Sequence, residues 1–146
     1  MSSKDSCWRL LRLAILLAAF LVQSRKGASY RDFVRQHIAH PRTRAPNLNT
    51  YCNRMMQRRG MTRGTCKAVN TFIIARPKAV QNICRRGGTR VNRHRDLYNS
   101  RRRFRVITCS NRGLYPRCQY VGKRETRRIS VACAHTLPVH FERQRP

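Results

Sequence analysis

Tyr30, Phe33, Val34, His37 and Ile38 recur at the spacing of one helix face, and Pro41 ends the pattern. A second helix starts near Asn47 or Asn49, either of which can cap it. Leu48, Cys52, Met55 and Met56 form its apolar face, and Gly60 suits its end. From Val69 the texture changes: residues 69–74 are rich in β-branched and aromatic side chains, and Pro77 opens a short helix through Val80 and Ile83. Strand-like runs follow at residues 104–108, 118–121, 129–132 and 137–141. Gly87-Gly88, Asn99-Ser100, Asn111-Arg112-Gly113 and Tyr115-Pro116 mark turns. Helices first and antiparallel strands afterwards predict an α+β domain.

Before residue 25 the apolar pattern is of another kind. Leu10-Leu11 and residues 13–22 form a run preceded or interrupted by Lys4, Arg9 and Arg12, too short and too close to the terminus for a good spanning helix. Residues 1–24 therefore read as a secretory signal, cut between 24 and 29. Val22 and Ser24 suit the −3 and −1 positions, which makes Arg25 the first choice for the mature terminus. Residues 25–146, without repeats or a low-complexity linker, read as a single domain. Cys7 leaves with the signal, and Cys52, Cys66, Cys84, Cys109, Cys118 and Cys133 remain. An even count in a small exported domain implies a disulfide framework. No Cys-x-x-Cys pair supports a zinc or redox reading, and spacing alone does not choose the pairing. Each bridge closing a loop of tens of residues contributes about 4 kcal/mol in the chain-entropy model, which a small charged domain needs.

Charge narrows the partners. The chain carries 33 Lys+Arg against 5 Asp+Glu, a net +28; loss of Lys4, Arg9, Arg12 and Asp5 with the signal leaves +26. Nearly all the cations are arginine, which grips phosphate oxygens bidentately. Such a balance selects polyanions: RNA, DNA, anionic glycans or anionic lipid surfaces. So few acids leave little for a paired-carboxylate or multi-carboxylate metal site. No Gly-rich phosphate loop, His-Glu-x-x-His pair or Gly-x-Ser-x-Gly elbow is present. Histidine is the remaining acid–base candidate, but residue type alone does not choose a pair from His37, His40, His94, His135 and His140.

The stretch Cys66-Lys67-Ala68-Val69-Asn70-Thr71-Phe72 resembles the Cys-Lys-x-x-Asn-Thr-Phe signature of the pancreatic-type (ribonuclease A) superfamily. Gln36-His37 on the first helix and Pro138-Val139-His140-Phe141 near the C-terminus resemble its two other motifs, in order, and the likeness runs from Tyr30 to Gln144. With no cysteine in residues 85–108, the chain is similar to the six-cysteine branch that includes angiogenin. The resemblance implies three short helices on a curved antiparallel sheet, with bridges Cys52–Cys109, Cys66–Cys118 and Cys84–Cys133. It implies a monomeric, metal- and cofactor-independent endoribonuclease acting 3′ of pyrimidines.

RNA carries its own nucleophile, the 2′-hydroxyl, so such an enzyme needs a base for that proton and an acid for the 5′-oxygen. The resemblance assigns these roles to His37 and His140, with Lys67 stabilising phosphate charge. It assigns Gln36 and the Phe141 backbone to the phosphate and Thr71 to the base edge, where a hydroxyl both donates and accepts. Asn70 joins the substrate-binding set as the residue that holds the loop. Glu142 stands where the family often has an aspartate orienting the C-terminal histidine. Ala134 replaces a glutamate of potent digestive members. Angiogenin obstructs its pyrimidine site with a glutamine three residues after that histidine; here Arg143 holds that position, with Gln144 beside it. Modest turnover is the expectation.

Arg58-Arg59 resembles part of angiogenin's basic nuclear-targeting segment, implying nuclear or nucleolar uptake after secretion. Arg85-Arg86, Arg90, Arg93, Arg95, Arg101-Arg102-Arg103 and Arg105 make a second basic stretch. Three uses compete: a longer phosphate track, binding to heparan-like glycans and cell surfaces, or attack on anionic bacterial membranes. The resemblance adds a leucine-rich-repeat ribonuclease inhibitor as a partner. Angiogenic and host-defence roles follow as expectations, with a cationic antimicrobial protein acting independently of catalysis as the alternative.

Overall fold

The computed structural model describes residues 6–12, 29–92, 94 and 96–146, with the side chain of Asn92 set aside. Residues 6–12 are helical; the rest of the expected signal and most of its 24–29 cut window lie outside the described residues, as do Arg93 and Arg95. Among the described residues no helix is long and apolar enough to cross a membrane.

Helix α1 spans Tyr30–His37, α2 Leu48–Arg58 and α3 Pro77–Gln81, the last running into a single 3-10 turn, Asn82–Cys84. Ser29 caps α1, its hydroxyl accepting from Asp32 N at 3.1 Å. Ile38 has already left the helix: it is extended and bridges Ile73. Asn47 caps α2 through Thr50 N at 2.8 Å, deciding between the two candidate starts. At the other end Gly60 takes φ +78°, while Gly60 N and Met61 N donate to Gln57 O and Met56 O, a closing motif that needs a residue at ease in that region.

Six antiparallel strands follow: β1 Val69–Ile73, β2 Gly88–Asn92, β3 Leu97–Ser100, β4 Phe104–Asn111, β5 Tyr120–Ala134 and β6 Leu137–Arg145. The order is β1-β4-β5-β3-β2, and β6 also pairs β5. The two runs expected at 118–121 and 129–132 are one 15-residue strand. Its polar middle has no apolar alternation to announce it, and forms because it pairs β4 over residues 120–127. Beyond Arg127 it changes partners to β3 and β6, so it joins two halves of a curved sheet. The turn expected at Asn99-Ser100 is corrected: both residues lie in β3, where Asn99 faces Ser130 of β5. Likewise Gly88 opens β2 opposite Ser100. Too short and too polar to signal themselves, β2 and β3 form by pairing.

Period-2 alternation sends β1 and β4 side chains to two cores. Ile73, Phe104 and Val106 pack with Phe33, Val80, Ile129 and Val131; Phe72 and Ile107 pack with Tyr51, Met55 and Met56 of α2. The disulfides are Cys52–Cys109, Cys66–Cys118 and Cys84–Cys133, the pairs the resemblance implies. Gly122 lets α2 approach β5, since a Cβ there would meet Leu48 O at 2.6 Å. His135 and Thr136, both at positive φ, make the two-residue turn between β5 and β6.

Candidate active site

Three elements converge: the end of α1, the start of β1 and the middle of β6. On α1, Phe33 and His37 are four residues apart on the buried face. His37 is 8% exposed, and its Nδ1 lies 2.9 Å from Thr71 O. A carbonyl only accepts, so Nδ1 carries the proton of the neutral ring and Nε2 is left as the basic nitrogen. Burial pushes the His37 pKa down from 6.5 to about 4; the Thr71 hydrogen bond opposes this, and the charges of Lys67, His140 and Arg35 reinforce it. His37 is therefore neutral at pH 7.

Lys67 Nζ donates to Gln36 Oε1 at 3.0 Å and to Asn70 Oδ1 at 2.9 Å. Both partners are neutral amides, and among the described residues no carboxylate pairs with it. Burial, aided by Arg35, lowers its pKa. Asn70 is buried and donates from Nδ2 to Gln36 O at 2.8 Å, so it ties Lys67 to the last turn of α1. Gln36 spends its Oε1 on Lys67, and its amide N–H groups remain for an oxyanion.

On β6, the exposed ring of His140 places Nε2 3.7 Å from Glu142 Oε1, an ion pair when the histidine is protonated but too long for a hydrogen bond. Phe141 stacks on His37, with centroids 5.2 Å apart and planes inclined 29°. Beside them lies the Thr71 hydroxyl, 3.4 Å from that of Thr108. Both hydroxyls are already engaged: Gln144 Nε2 donates to Thr108 Oγ1 at 2.5 Å and approaches Thr71 Oγ1 at 3.5 Å. A bulge directs Gln144 there. Val131 faces Phe141 and Ser130 faces Arg143, so Glu142 is an extra residue on β6 and Gln144 faces Ile129. Phe141 and Gln144 thereby share a face, and Arg143 turns away.

The structure thus gathers His37, Lys67, Gln36, Asn70, Thr71, His140, Phe141 and Glu142 around one cleft. Ala134 is exposed beside the β5–β6 turn. Arg58 is exposed at the end of α2, but Arg59 is differently employed. Its Nη1 donates to Arg35 O at 2.7 Å and Ile38 O at 3.0 Å, and at 3.2 Å to Val34 O, which also accepts from Ile38 N, all at the end of the helix that carries His37. Arg35 Nη1 answers to Arg59 O at 2.5 Å. No sequence signal separates Arg59 from its exposed neighbour. Arg85-Arg86 and Arg101–Arg103 are exposed and brought together, because Arg101 N bonds Gly87 O at 2.9 Å. Among the described residues no three His, Cys, Asp or Glu side chains converge as metal ligands.

A disulfide-stapled α+β domain with a buried imidazole, a lysine held by two neutral amides and a second, exposed imidazole defines a class of small, strongly basic proteins. The pancreatic ribonuclease family model matches residues 28–142, and the chain belongs to that family. It is 45% identical over 116 residues to a ribonuclease of Chelonia mydas, covering 78% of this chain and 96% of the relative. Angiogenin of Gallus gallus is 36% identical over 132 residues, covering 88% and 91%. The crystal structure of green turtle egg white ribonuclease superposes with a TM-score of 0.75 at 44% identity, covering 79% of this chain and 97% of that one.

Proposed function

We propose that the protein is a secreted endoribonuclease that cleaves RNA 3′ of pyrimidines, through a 2′,3′-cyclic phosphate, without metal or cofactor. The observation that carries the reading is His37, held neutral by burial with Nδ1 on the Thr71 carbonyl, beside a Lys67 that pairs with no carboxylate among the described residues. His37 Nε2 takes the 2′-hydroxyl proton as that oxygen attacks phosphorus. The bond from phosphorus to the 5′-oxygen breaks, and protonated His140 gives its proton to the leaving oxygen. Its Nε2 is drawn towards Glu142, which leaves Nδ1 to deliver that proton. Lys67, the Gln36 amide and the Phe141 backbone N–H meet the charge on the non-bridging oxygens. In hydrolysis of the cyclic ester the two imidazoles exchange roles.

Thr71 reads the pyrimidine edge once Gln144 leaves, so turnover is modest. Angiogenic or host-defence action is part of the proposal, with the Arg85–Arg86 and Arg101–Arg103 patch serving polyanions such as heparan-like glycans. Cleavage of a dinucleotide panel by wild type and His140→Ala across pH tests the enzyme. Wild type should cut after cytidine and uridine, and His140→Ala should lose at least about a hundredfold. No turnover in wild type, or equal turnover in both, sinks the reading. Bacterial killing that survives loss of both histidines would assign defence to the cations alone.

A further inference from the structure

Between β4 and β5 the chain sets Leu114 and Tyr115 between Arg112 and Arg117. Leu114 is 87% exposed and Tyr115 54%. They stand on a braced loop. Asn111 Oδ1 accepts from Gly113 N at 3.0 Å and Gln119 N at 3.1 Å, and its Nδ2 donates to Gly113 O at 2.9 Å. Arg117 N donates to Leu114 O at 2.8 Å, and Cys118 is bolted to Cys66. A Cβ on Gly113 would lie 2.1 Å from Arg117 O, so the turn is closed down to backbone contact.

The same end of the sheet extends the apolar surface. Val69, Ser110 and Val121 face one another in a single row across β1, β4 and β5, with Val69 and Val121 exposed. Exposed cations lie close to it along the chain: Arg112 and Arg117 flank the tip, and Lys123 follows Val121 by two residues. No acidic residue occurs in the sequence between Asp96 and Glu125, and Glu125 is already engaged by Lys123 and Arg127. RNA would use the cations but gains nothing from a leucine held out on a rigid tip. A surface that is apolar at its summit and cationic at its rim complements an anionic lipid interface: tyrosine suits the headgroup level, an aliphatic chain the acyl boundary and arginines the phosphates.

We propose that the 112–119 loop, with Val69 and Val121 beside it, docks on anionic bilayers. Leu114 and Tyr115 enter the boundary between headgroups and acyl chains, and Arg112 and Arg117 hold lipid phosphates. None of these side chains belongs to the catalytic cleft, so the surface stands whether or not the protein cuts RNA.

The test measures partition of the protein, secreted from a eukaryotic host, onto phosphatidylcholine vesicles with and without phosphatidylglycerol. Binding should require phosphatidylglycerol. Leu114→Ser with Tyr115→Ser should lower partition about tenfold, the scale of withdrawing two such side chains from an interface. Arg112→Gln with Arg117→Gln should lower it too and flatten its salt dependence. Unchanged thermal midpoints would show that both double variants keep the fold. Absence of binding, equal binding to the neutral vesicles, or full binding by the Leu114/Tyr115 variant overturns the proposal. So does a variant that loses only its complex with a leucine-rich-repeat ribonuclease inhibitor, which would make the occupant a protein.

Discussion

The amide of Gln144 lies 2.5 Å from the Thr108 hydroxyl and 3.5 Å from that of Thr71, the hydroxyl that the proposed function assigns to the base edge. The short bond to Thr108 is worth about 1 kcal/mol, and the long contact to Thr71 adds little. Gln144→Ala should therefore raise kcat/KM on cytidine- and uridine-containing dinucleotides roughly five- to tenfold. Arg143→Ala, one residue away on the other face, should change it little. Steady-state kinetics on both variants checks this, and equal rates for Gln144→Ala and wild type would refute the plug.

Arg59 caps the helix that carries Gln36 and His37 through three backbone carbonyls. Arg59→Ala should cost about 2 kcal/mol of stability, because charged hydrogen bonds are lost and the carbonyls of Arg35 and Ile38 lose this donor. It should also depress kcat by misplacing His37. Arg58→Ala, at an exposed site, should stay within about 0.5 kcal/mol of wild type. Urea unfolding of the pair decides. Experiments that neutralise both arginines to probe nuclear uptake will read a damaged fold unless the two are separated.

The depressed His37 pKa has a signed consequence. Its folded value of about 4 lies below the ordinary 6.5, so the unfolded chain binds the extra proton between those limits. Stability from this group is full above pH 6.5 and is lost as pH falls towards 4, by about 3 kcal/mol. For the reaction, protonation of the base in the free enzyme should set the acid limb of kcat/KM near pH 4 rather than near 6.5. Titrating the His37 ring by NMR should place its midpoint near 4 as well. A midpoint at 6.5 in both would contradict the buried geometry.

The β5–β6 turn places His135 at φ +50° and Thr136 at φ +62°. A β-branched residue is poorly suited to that region, where asparagine followed by glycine is preferred. His135→Asn with Thr136→Gly should stabilise the domain by about 1 kcal/mol, raising the thermal midpoint by several degrees without altering kcat/KM.

Much of the fold was legible because local patterns are enough for it. Phe33 and His37 share a helix face whatever that helix packs on, and residues 69–74 carry the β-branched and aromatic side chains that a strand favours. A net charge of +28 and six cysteines beyond Cys7 declare a stapled, polyanion-seeking domain without coordinates. The Cys66–Phe72 motif then selected two histidines from five. β2, β3 and the polar middle of β5 were hidden, since strands of that composition exist only through their partners.

At the site, residue types were readable but their destinations were not. One extra residue in the β5–β6 register, Glu142, turns Gln144 into the cleft and Arg143 out of it. Arg58 and Arg59 are alike in sequence, yet only one finds carbonyls within reach. Charge, periodicity and motif order are properties of the chain itself. Register, bulges and the partner of each side chain arise only when distant segments pair, and that pairing decided which cations hold the fold and that Gln144, not Arg143, meets the Thr71 and Thr108 hydroxyls.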